Sequence, residues 1–423
     1  MVCAAHTIDP ELIKKGVVVT AALDGVVVLD LSRVLAGPWA TQNLADLGAE
    51  VIKVERPEHG DDTRRWGPPF VSHKSTNDQD AAYFFCCNRG KKSVTIDFTI
   101  PQGRDVLLQL VKKADVLVEN FKTGGLARYG LDYESLSKVN PRLIYCSITG
   151  FGQTGPEASR PGYDALIQAM GGLMSITGES DAVPGGGPQK VGVALIDVLT
   201  GVYATSAILA ALYQRERTGE GQSIDMALLD VQVAALANQA SSYLLGGDVP
   251  QRIGSGHPSI VPYQPFVCAD GHIMLAIGND GQFVNFCQAA GCASLADDER
   301  FKTNPLRVQN RDALVAILES YTKQRTIDEW RELGIQYGFP CGPINTIDRV
   351  FEEEQVKARG LQVTVPSNTY GDVDLVANPM RLSKSPVRYN DAPPALGENT
   401  NDVLKQLGFD EQAIAELKAQ GAI

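Results

Sequence analysis

The chain is poor in the residues that build metal centres and disulfide frameworks. It has five histidines among 423 residues, and no two of them stand at metal-ligand spacing. Its eight cysteines include no CxxC pair, and the adjacent Cys86 and Cys87 suit neither a zinc site nor a disulfide framework. We therefore expect reduced thiols in an intracellular compartment and no bound metal ion.

Common catalytic fingerprints and a basic surface are also missing. The sequence contains no GxSxG, HExxH, Walker A or GxGxxG motif, which removes the usual signals of hydrolases, metalloproteases and nucleotide-binding proteins. Its 50 acidic residues outnumber its 38 basic residues, for a formal net charge of -12. This balance argues against nucleic acid or an anionic membrane as the main partner. Local basic clusters can still bind an anionic ligand.

One apolar run stands out, and it contains a lone carboxylate. Residues 191–214 carry a single charged side chain, that of Asp197. The run is long enough to span a bilayer. It is the only such run, however, and its flanks are typical of soluble helices, so we expect a buried core helix and no membrane insertion.

Two interpretations of Asp197 follow from the residues alone. Helical spacing over 198–218, followed by Gly219, places Asp197 at the predicted N-cap, where amides and the helix dipole keep a carboxylate ionised. Asp197 is then a structural cap. Alternatively, an ionised carboxylate in an apolar setting is a good nucleophile toward an activated acyl group. The pattern itself does not separate the two.

The first half of the chain alternates strand and helix patterns. Such alternation predicts an α/β fold, with a Rossmann-like large domain built on a mostly parallel sheet. Ligands of open α/β sheets bind beside the carboxyl ends of the strands. The predicted strands are GVVVLDL (25–31), EVIKVE (50–55), DVLVENF (115–121) and LIYCSITGFG (143–152).

The character of the sequence changes after about residue 225. A Gly- and Pro-rich stretch covers 246–266, and FVCADGHIMLAIG (266–278) predicts a hairpin that turns at Asp270-Gly271. We therefore predict a large domain over 1–225, a smaller α+β domain with linkers over 226–350, and a C-terminal return to the large domain over 351–423.

Eight motifs in order resemble those of the class III CoA-transferases, the family of formyl-CoA transferase, carnitine CoA-transferase and α-methylacyl-CoA racemase. GDDTRRWGPPF and GSGHPSIVPYQPF are most similar to the branch that moves CoA from succinyl-CoA to glutarate, hydroxymethylglutarate or itaconate. The motifs are RVLAGP (33–38), KVERP (53–57), GDDTR (60–64), NRGKKS (88–93), VENF (118–121), YCSITGFGQTGP (145–156), PGYDA (161–165) and GVALIDVLTG (192–201).

The resemblance implies a covalent mechanism on Asp197. The family's catalytic aspartate lies in A-L-x-D-x-x-x-G, matched here by Ala194, Leu195, Asp197 and Gly201. In the implied reaction, this carboxylate attacks an acyl-CoA to form an anhydride, and CoA then returns to give an aspartyl-CoA thioester. The acceptor acid finally takes up the CoA. Acyl-CoA is thus a substrate, and no permanently bound cofactor is implied.

The resemblance also implies binding residues. CoA phosphates would pair with arginine side chains. Arg33, Arg64 or His257 would bind the remote carboxylate of a dicarboxylate. The implied CoA contacts are Leu35, Ala36, Arg56, Ile96, Asn120, Phe121 and Arg128. The other implied substrate contacts are Tyr163, Asp164 and the glycine-rich cover loop with Gly254 and Gly256.

The resemblance to this family leaves two alternative functions open and implies an assembly. A racemase would carry a basic histidine at position 163, where a tyrosine with a reference pKa near 10 is a poor base. A non-catalytic CoA-binding protein is the second alternative, against which the retained Asp197 counts. The family also implies an interlocked homodimer.

The N-terminal residues show no apolar signal core, so we expect a cytoplasmic protein, or a mitochondrial matrix protein if a leader has been removed.

Overall fold

A computed structural model describes residues 21–423 and divides them into two compact units. The first unit contains residues 21–172, 191–240 and 355–423, and the second contains 173–190 and 241–354. The predicted boundary at residue 225 therefore lies inside the first unit. The sequence predicts segment 173–190 in the large domain, but this segment belongs to the second unit. Its backbone is hydrogen-bonded there, since the Gly254 N–H donates to the Gly178 carbonyl at 3.1 Å.

The first unit is built on a parallel sheet. Six strands lie in the order β5 (Lys91–Thr95), β2 (Glu50–Glu55), β1 (Val27–Asp30), β6 (Val116–Glu119), β7 (Ile144–Thr149) and β8 (Ser223–Ala227), and every neighbouring pair is parallel. Strand β7 is buried along its whole length, as expected for a parallel sheet covered on both faces. The strands of this unit up to residue 240 are β1 (Val27–Asp30), β2 (Glu50–Glu55), β3 (Phe70–Ser72), β4 (Gln79–Ala81), β5 (Lys91–Thr95), β6 (Val116–Glu119), β7 (Ile144–Thr149) and β8 (Ser223–Ala227).

Helices follow most strands of the sheet. The helices up to residue 246 are α1 (Ala36–Asp46), α2 (Ala82–Phe85), α3 (Pro101–Lys113), α4 (Tyr133–Val139), α5 (Asp164–Met170), α6 (Leu173–Ile176), α7 (Leu195–Thr218), α8 (Leu228–Ala235) and α9 (Ala237–Gly246). Of these, α6 belongs to the second unit, and the residues of α9 are divided between the two units. Two 3-10 turns cover Asp62–Arg65 and Ala127–Tyr129.

Helix α7 contains the long apolar run. By length and composition it could cross a membrane; in the first unit it packs along α1, and 44% of its most apolar stretch is buried. Gly201 is the closest point: a Cβ there would lie 2.8 Å from the Ala36 carbonyl oxygen. The helix ends at Gly219, which has a φ of 81°, as the sequence predicts.

The second unit combines a small antiparallel sheet with helices. The predicted hairpin is confirmed, because β9 pairs with β10 and the chain turns between Val267 and His272. Phe286 stacks on Trp330 in its core, with ring centroids 5.6 Å apart. Its elements after residue 246 are β9 (Tyr263–Val267), β10 (His272–Ala276), α10 (Asp280–Ala290), α11 (Ser294–Asp297), α12 (Asn304–Gln309), α13 (Arg311–Thr322), α14 (Ile327–Tyr337), β11 (Cys341–Pro343) and α15 (Ile347–Glu352).

The C-terminal segment returns to the first unit. There, Asn399 and Thr400 accept the backbone N–H groups of Ser93 and Thr95 at the edge of strand β5. The closing elements are α16 (Glu354–Ala358), β12 (Gln362–Ser367), β13 (Gly371–Val376), α17 (Thr400–Gln406) and α18 (Glu411–Ala419).

Candidate active site

The loop between β1 and α1 forms one wall of the candidate site. Val34 in this loop has a φ of 71°, a left-handed conformation that is unfavourable for a β-branched residue. The Val34 N–H donates to the Asp61 carboxylate at 3.2 Å, and the Cys87 thiol donates to the Val34 carbonyl. The Asn120 side chain bonds to both the N–H and the carbonyl of Arg33. The loop is therefore held at two successive residues.

Buried ion pairs beside this loop help to hold it in place. The Lys53 ammonium donates to Asp61 and to the Ser32 carbonyl, both at 2.9 Å, and the Lys91 ammonium donates to Asp30 at 3.0 Å. Burial alone would raise the pKa of Asp30, but Lys91 and Lys53 outweigh it and lower that pKa to about 2. Each buried charge thus has a partner of opposite sign.

The predicted role of Arg64 in substrate binding is not supported. Arg64 is 4% exposed, and its guanidinium makes four hydrogen bonds within the protein: it donates to both oxygens of Glu55, to Asp80 and to the Pro394 carbonyl. It also lies over the Phe84 ring. The 3-10 turn directs Arg64 into the protein and leaves its neighbour Arg65 exposed.

The predicted N-cap position of Asp197 is wrong. Helix α7 begins at Leu195, and Asp197 is the third residue of its first turn. Asp164 of α5 supplies the cap instead, because its Oδ2 accepts the N–H groups of Ile196 at 2.8 Å and of Asp197 at 3.3 Å. Its Oδ1 accepts from Gln168, four residues along the same helix. Asp164 therefore fixes the start of α7 and, with it, the position of Asp197.

The Asp197 carboxyl titrates near neutrality. Burial raises its pKa, and the nearby Asp164 carboxylate raises it further, to about 7. In the described part of the chain no cation or hydrogen-bond donor pairs with this carboxyl group. The predicted stable ionisation by an N-cap position is therefore also wrong, since a cap would have lowered the pKa.

Asp197 lines a small cavity of about 250 Å³ in the first unit. The structure brings seven of the predicted residues together around it: Arg33, Leu35, Ala36, Asn120, Phe121, Tyr163 and Asp197. Residues that the sequence did not indicate complete the wall, among them Trp66, Thr149, Arg160 and Leu228. The Trp66 ring meets the Tyr83 ring edge-on, with centroids 5.4 Å apart.

A larger cavity of about 890 Å³ lies beside the carboxyl ends of β2 and β6. It contains the predicted residues Arg33, Arg56, Ile96, Phe121 and Arg128. Sequence reasoning missed its other basic and aromatic lining residues, which are Lys53, His59, Arg65, Phe98, Lys122 and Tyr129. Three of them had a signal in the sequence, because Lys53 lies in KVERP, Arg65 lies in GDDTRRWGPPF and Lys122 directly follows VENF.

The two cavities share part of their walls. Arg33, Asp62, Phe121, Lys122 and Thr123 line both of them. A long anionic molecule held in the larger cavity could therefore extend one end toward Asp197. Among residues 21–423, no cluster of His, Cys, Asp or Glu side chains could hold a metal ion.

The predicted cover loop lies in the second unit. Gly254 has a φ of 65°, and its Cα faces the Glu179 side chain. The His257 ring accepts the Ser259 N–H at its Nδ1, and Arg311 donates to the His257 carbonyl at 2.7 Å. These bonds shape the loop within its own unit. The substrate contacts assigned to Gly254, Gly256 and His257 stay predictions.

Known proteins are similar to this chain over most of its length. A succinate–glutarate CoA-transferase from Agrobacterium fabrum is 50% identical over 385 residues, which cover 91% of this chain and 95% of that protein. The human succinyl-CoA:glutarate CoA-transferase is 45% identical over 402 residues, covering 95% and 90% of the two chains. A crystal structure of a CAIB/BAIF family protein from Brucella suis superimposes with a TM-score of 0.82 at 50% identity, covering 92% of this chain and all (100%) of that one.

The family model of CoA-transferase family III matches residues 23–400, and the chain belongs to this family. The chain is accordingly an enzyme of the CoA-transferase class. Its α/β fold with a large parallel sheet matches the solved family structure.

The surroundings of Arg64 predict a role in stability. Replacing Arg64 with Ala leaves Glu55 and Asp80 without their buried partner, so we expect the free energy of unfolding to fall by about 3–5 kcal/mol. Urea unfolding at pH 7 measures the change. Arg65→Ala is the matched control, because Arg65 is 61% exposed and its pair with Asp62 contributes at most about 1 kcal/mol. If the Arg64→Ala enzyme had wild-type stability and a raised KM for the acceptor alone, Arg64 would bind the acceptor, as the sequence analysis predicts.

Proposed function

We propose that this enzyme transfers CoA from succinyl-CoA to a free dicarboxylic acid of the glutarate type. The transfer proceeds through an aspartyl-CoA thioester on Asp197. Candidate acceptors are glutarate, hydroxymethylglutarate and itaconate. The observation that carries the proposal is the unpaired Asp197 carboxyl group in a small cavity that shares a wall with a larger, cationic one.

The larger cavity suits the CoA portion of the substrate. Arg56 and Arg128 supply guanidinium groups for its phosphates. Phe98 forms edge-on contacts with Phe121 and Tyr129, at 5.6 and 5.5 Å, which gives the cavity an apolar wall for the rest of the ligand. The shared residues then lead the thioester end toward Asp197.

The chemistry exchanges one activated carboxyl group for another. The Asp197 carboxylate attacks the succinyl carbonyl, expels the CoA thiolate and forms a mixed anhydride. The thiolate then attacks the aspartyl carbonyl and releases succinate, which leaves CoA as a thioester on Asp197. The acceptor carboxylate attacks this thioester, and the released thiolate attacks the acceptor carbonyl of the second anhydride. The last step regenerates the Asp197 carboxylate.

The names of the two relatives support the choice of substrates, since both act between succinyl-CoA or succinate and glutarate. Position 163 argues against the alternative of a racemase. Tyr163 lines the same cavity as Asp197, at the position where a racemase would carry the histidine that serves as the second base in proton transfer. A non-catalytic CoA-binding protein would have no need for an unpaired carboxyl group at this position.

We also propose a homodimer, which the surface of the second unit supports. Leu244 and Leu245 at the end of α9 are 76% and 90% exposed, and Tyr243 beside them is half exposed. Contiguous exposed apolar side chains of this kind mark surfaces that another protein covers. The occupant we propose is a second copy of the chain, in the interlocked arrangement that the family resemblance implies.

The mechanism predicts the behaviour of an Asp197→Asn enzyme. An amide cannot form the anhydride, so transfer should be abolished. Wild-type enzyme incubated with succinyl-CoA alone should carry CoA on the peptide that contains Asp197, visible by mass spectrometry and removed by hydroxylamine. The reactive form is the anion, and the pKa is about 7. The kcat/KM for succinyl-CoA should therefore rise about tenfold per pH unit below pH 7 and level off above it.

The stability of the Asp197→Asn variant serves as the control for its folding. Because the raised pKa favours the protonated form in the folded state, wild-type stability should decline as the pH rises from about 4 to 7. Asp197→Asn should lack this decline and be at least as stable as the wild type at pH 8. An active Asp197→Asn enzyme, checked for the absence of deamidation, would refute the mechanism.

The substrate assignment is tested by a panel of acceptor acids with succinyl-CoA as donor. We expect the highest kcat/KM for dicarboxylates of about five carbons, because both carboxylates must be accommodated within a cavity of about 250 Å³. Formation of the new CoA thioester, followed by chromatography, gives the rates. A wide preference for oxalate, formate or carnitine would show that the branch is assigned wrongly.

The assembly is tested by sedimentation. We expect a dimer at micromolar concentration. Leu245→Glu should weaken it by placing a charge in the covered surface, whereas Leu245→Ala should retain it. A compact wild-type monomer at micromolar concentration would contradict the homodimer.

A further inference from the structure

The proposed reaction leaves one carboxylate unexplained on each acid. One carboxyl group of succinate or glutarate is activated at Asp197, and the other remains an anion within the same small cavity. An anion removed from water needs a cation or several hydrogen-bond donors. Both acids occupy the cavity in turn, so a single group can serve both.

We propose that Arg160 binds this distal carboxylate, both in the succinyl donor and in the acceptor acid. The inference rests on the proposed function. Of the described residues that line the small cavity without also lining the large one, Arg160 is the one with a cationic side chain. A chain that extends from Asp197 away from the bound CoA therefore meets Arg160.

The other nearby cations lie on the CoA side. Arg33 and Lys122 belong to the wall that both cavities share. The Arg33 guanidinium is 3.5 Å from the Asp62 carboxylate and 5.2 Å from the centre of the Phe121 ring. CoA must pass these residues to reach Asp197, which leaves them poorly placed for the far end of the acid.

The backbone around Arg160 is held in place. Gly162 and Gly150 approach so closely that a Cβ on Gly162 would lie 2.5 Å from the Gly150 Cα. This contact closes the base of the loop that carries Arg160, and Pro161, Gly162 and Tyr163 line the same cavity. Arg160 thus extends from a fixed point at the cavity wall.

The present partners of Arg160 are compatible with exchange. Its Nη1 is 3.0 Å from Glu157, and its guanidinium lies 5.5 Å from the centre of the Phe151 ring. Both members of the ion pair are about half exposed, so the pair is weak and a substrate carboxylate can take the place of Glu157. The planar guanidinium can then bind a carboxylate through two parallel hydrogen bonds.

The test compares acids that differ in the distal group alone. Glutarate and pentanoate are assayed as acceptors for wild-type enzyme and Arg160→Gln, with succinyl-CoA as donor. We expect kcat/KM for glutarate to fall about 10- to 100-fold, as for the loss of a charged hydrogen bond, while the value for pentanoate changes less than about threefold. Equal losses for both acids, or an unchanged ratio, would overturn the inference.

Two further variants exclude a general effect on the loop. Glu157→Gln removes the competing carboxylate and should leave the KM for glutarate unchanged or lower. A rise similar to that in Arg160→Gln would show that loop disruption is responsible and would overturn the inference.

Arg160→Glu should gain activity toward 5-aminopentanoate relative to glutarate, because the distal ammonium of 5-aminopentanoate complements the new carboxylate. No gain in a folded enzyme would count against the inference, as would a loss of glutarate selectivity in Arg33→Gln alone.

The covalent adduct separates this inference from the proposed function. Butyryl-CoA, which has no distal carboxylate, should form the hydroxylamine-sensitive adduct on Asp197 equally in wild type and Arg160→Gln. If wild-type enzyme forms no adduct with any donor, the proposed mechanism fails whatever Arg160 does. If both enzymes form the adduct and the ratio of glutarate to pentanoate is the same, the role of Arg160 fails alone.

Discussion

The buried pair between Lys53 and Asp61 is the interaction on which the site depends. Both side chains are fully buried, and a buried charge that loses its partner costs about 3–5 kcal/mol. Asp61 must therefore remain within reach of the strand that carries Lys53. From that position its carboxylate also accepts the Val34 N–H and holds this residue at a positive φ. The turn at Val34 determines where α1 begins, and the start of α1 forms part of the wall around Asp197.

Asp197 differs from the three buried carboxylates Asp30, Glu55 and Asp61 of this unit. Asp30, Glu55 and Asp61 each contact a cation, and their pKa values lie below the ordinary range. For Asp197 burial and a neighbouring carboxylate act in the same direction, and its pKa rises. The helix cap is already provided by Asp164, so the Asp197 side chain has no structural task that would compensate for its burial. Groups with this combination of properties are common at catalytic centres.

Sequence reasoning succeeded where local patterns determine structure. The parallel sheet, the hairpin and the end of α7 at Gly219 follow from hydrophobic periodicity and glycine placement. It failed where a residue far away in the sequence determines the local structure. The start of α7 is capped by Asp164 and not by Asp197, and the helix begins at Leu195. In GDDTRRW the two arginines look equivalent, but Glu55 and Asp80 select Arg64 for burial. Arg160 lies in a loop without a periodic pattern, so the sequence could not predict that it lines the same cavity as Asp197.

The division into two adjoining cavities suits a reaction in which CoA stays while the acids exchange. In the proposed scheme the CoA thiolate is released twice and must recombine each time with a carbonyl at Asp197. A large cavity with Arg56 and Arg128 can retain CoA through its phosphates, whatever happens at the thiol end. The small cavity needs to accommodate one acid at a time, because succinate leaves before the acceptor enters. In this scheme the large cavity retains CoA and the small one exchanges the acids, and the two share the lining residues Arg33 and Phe121.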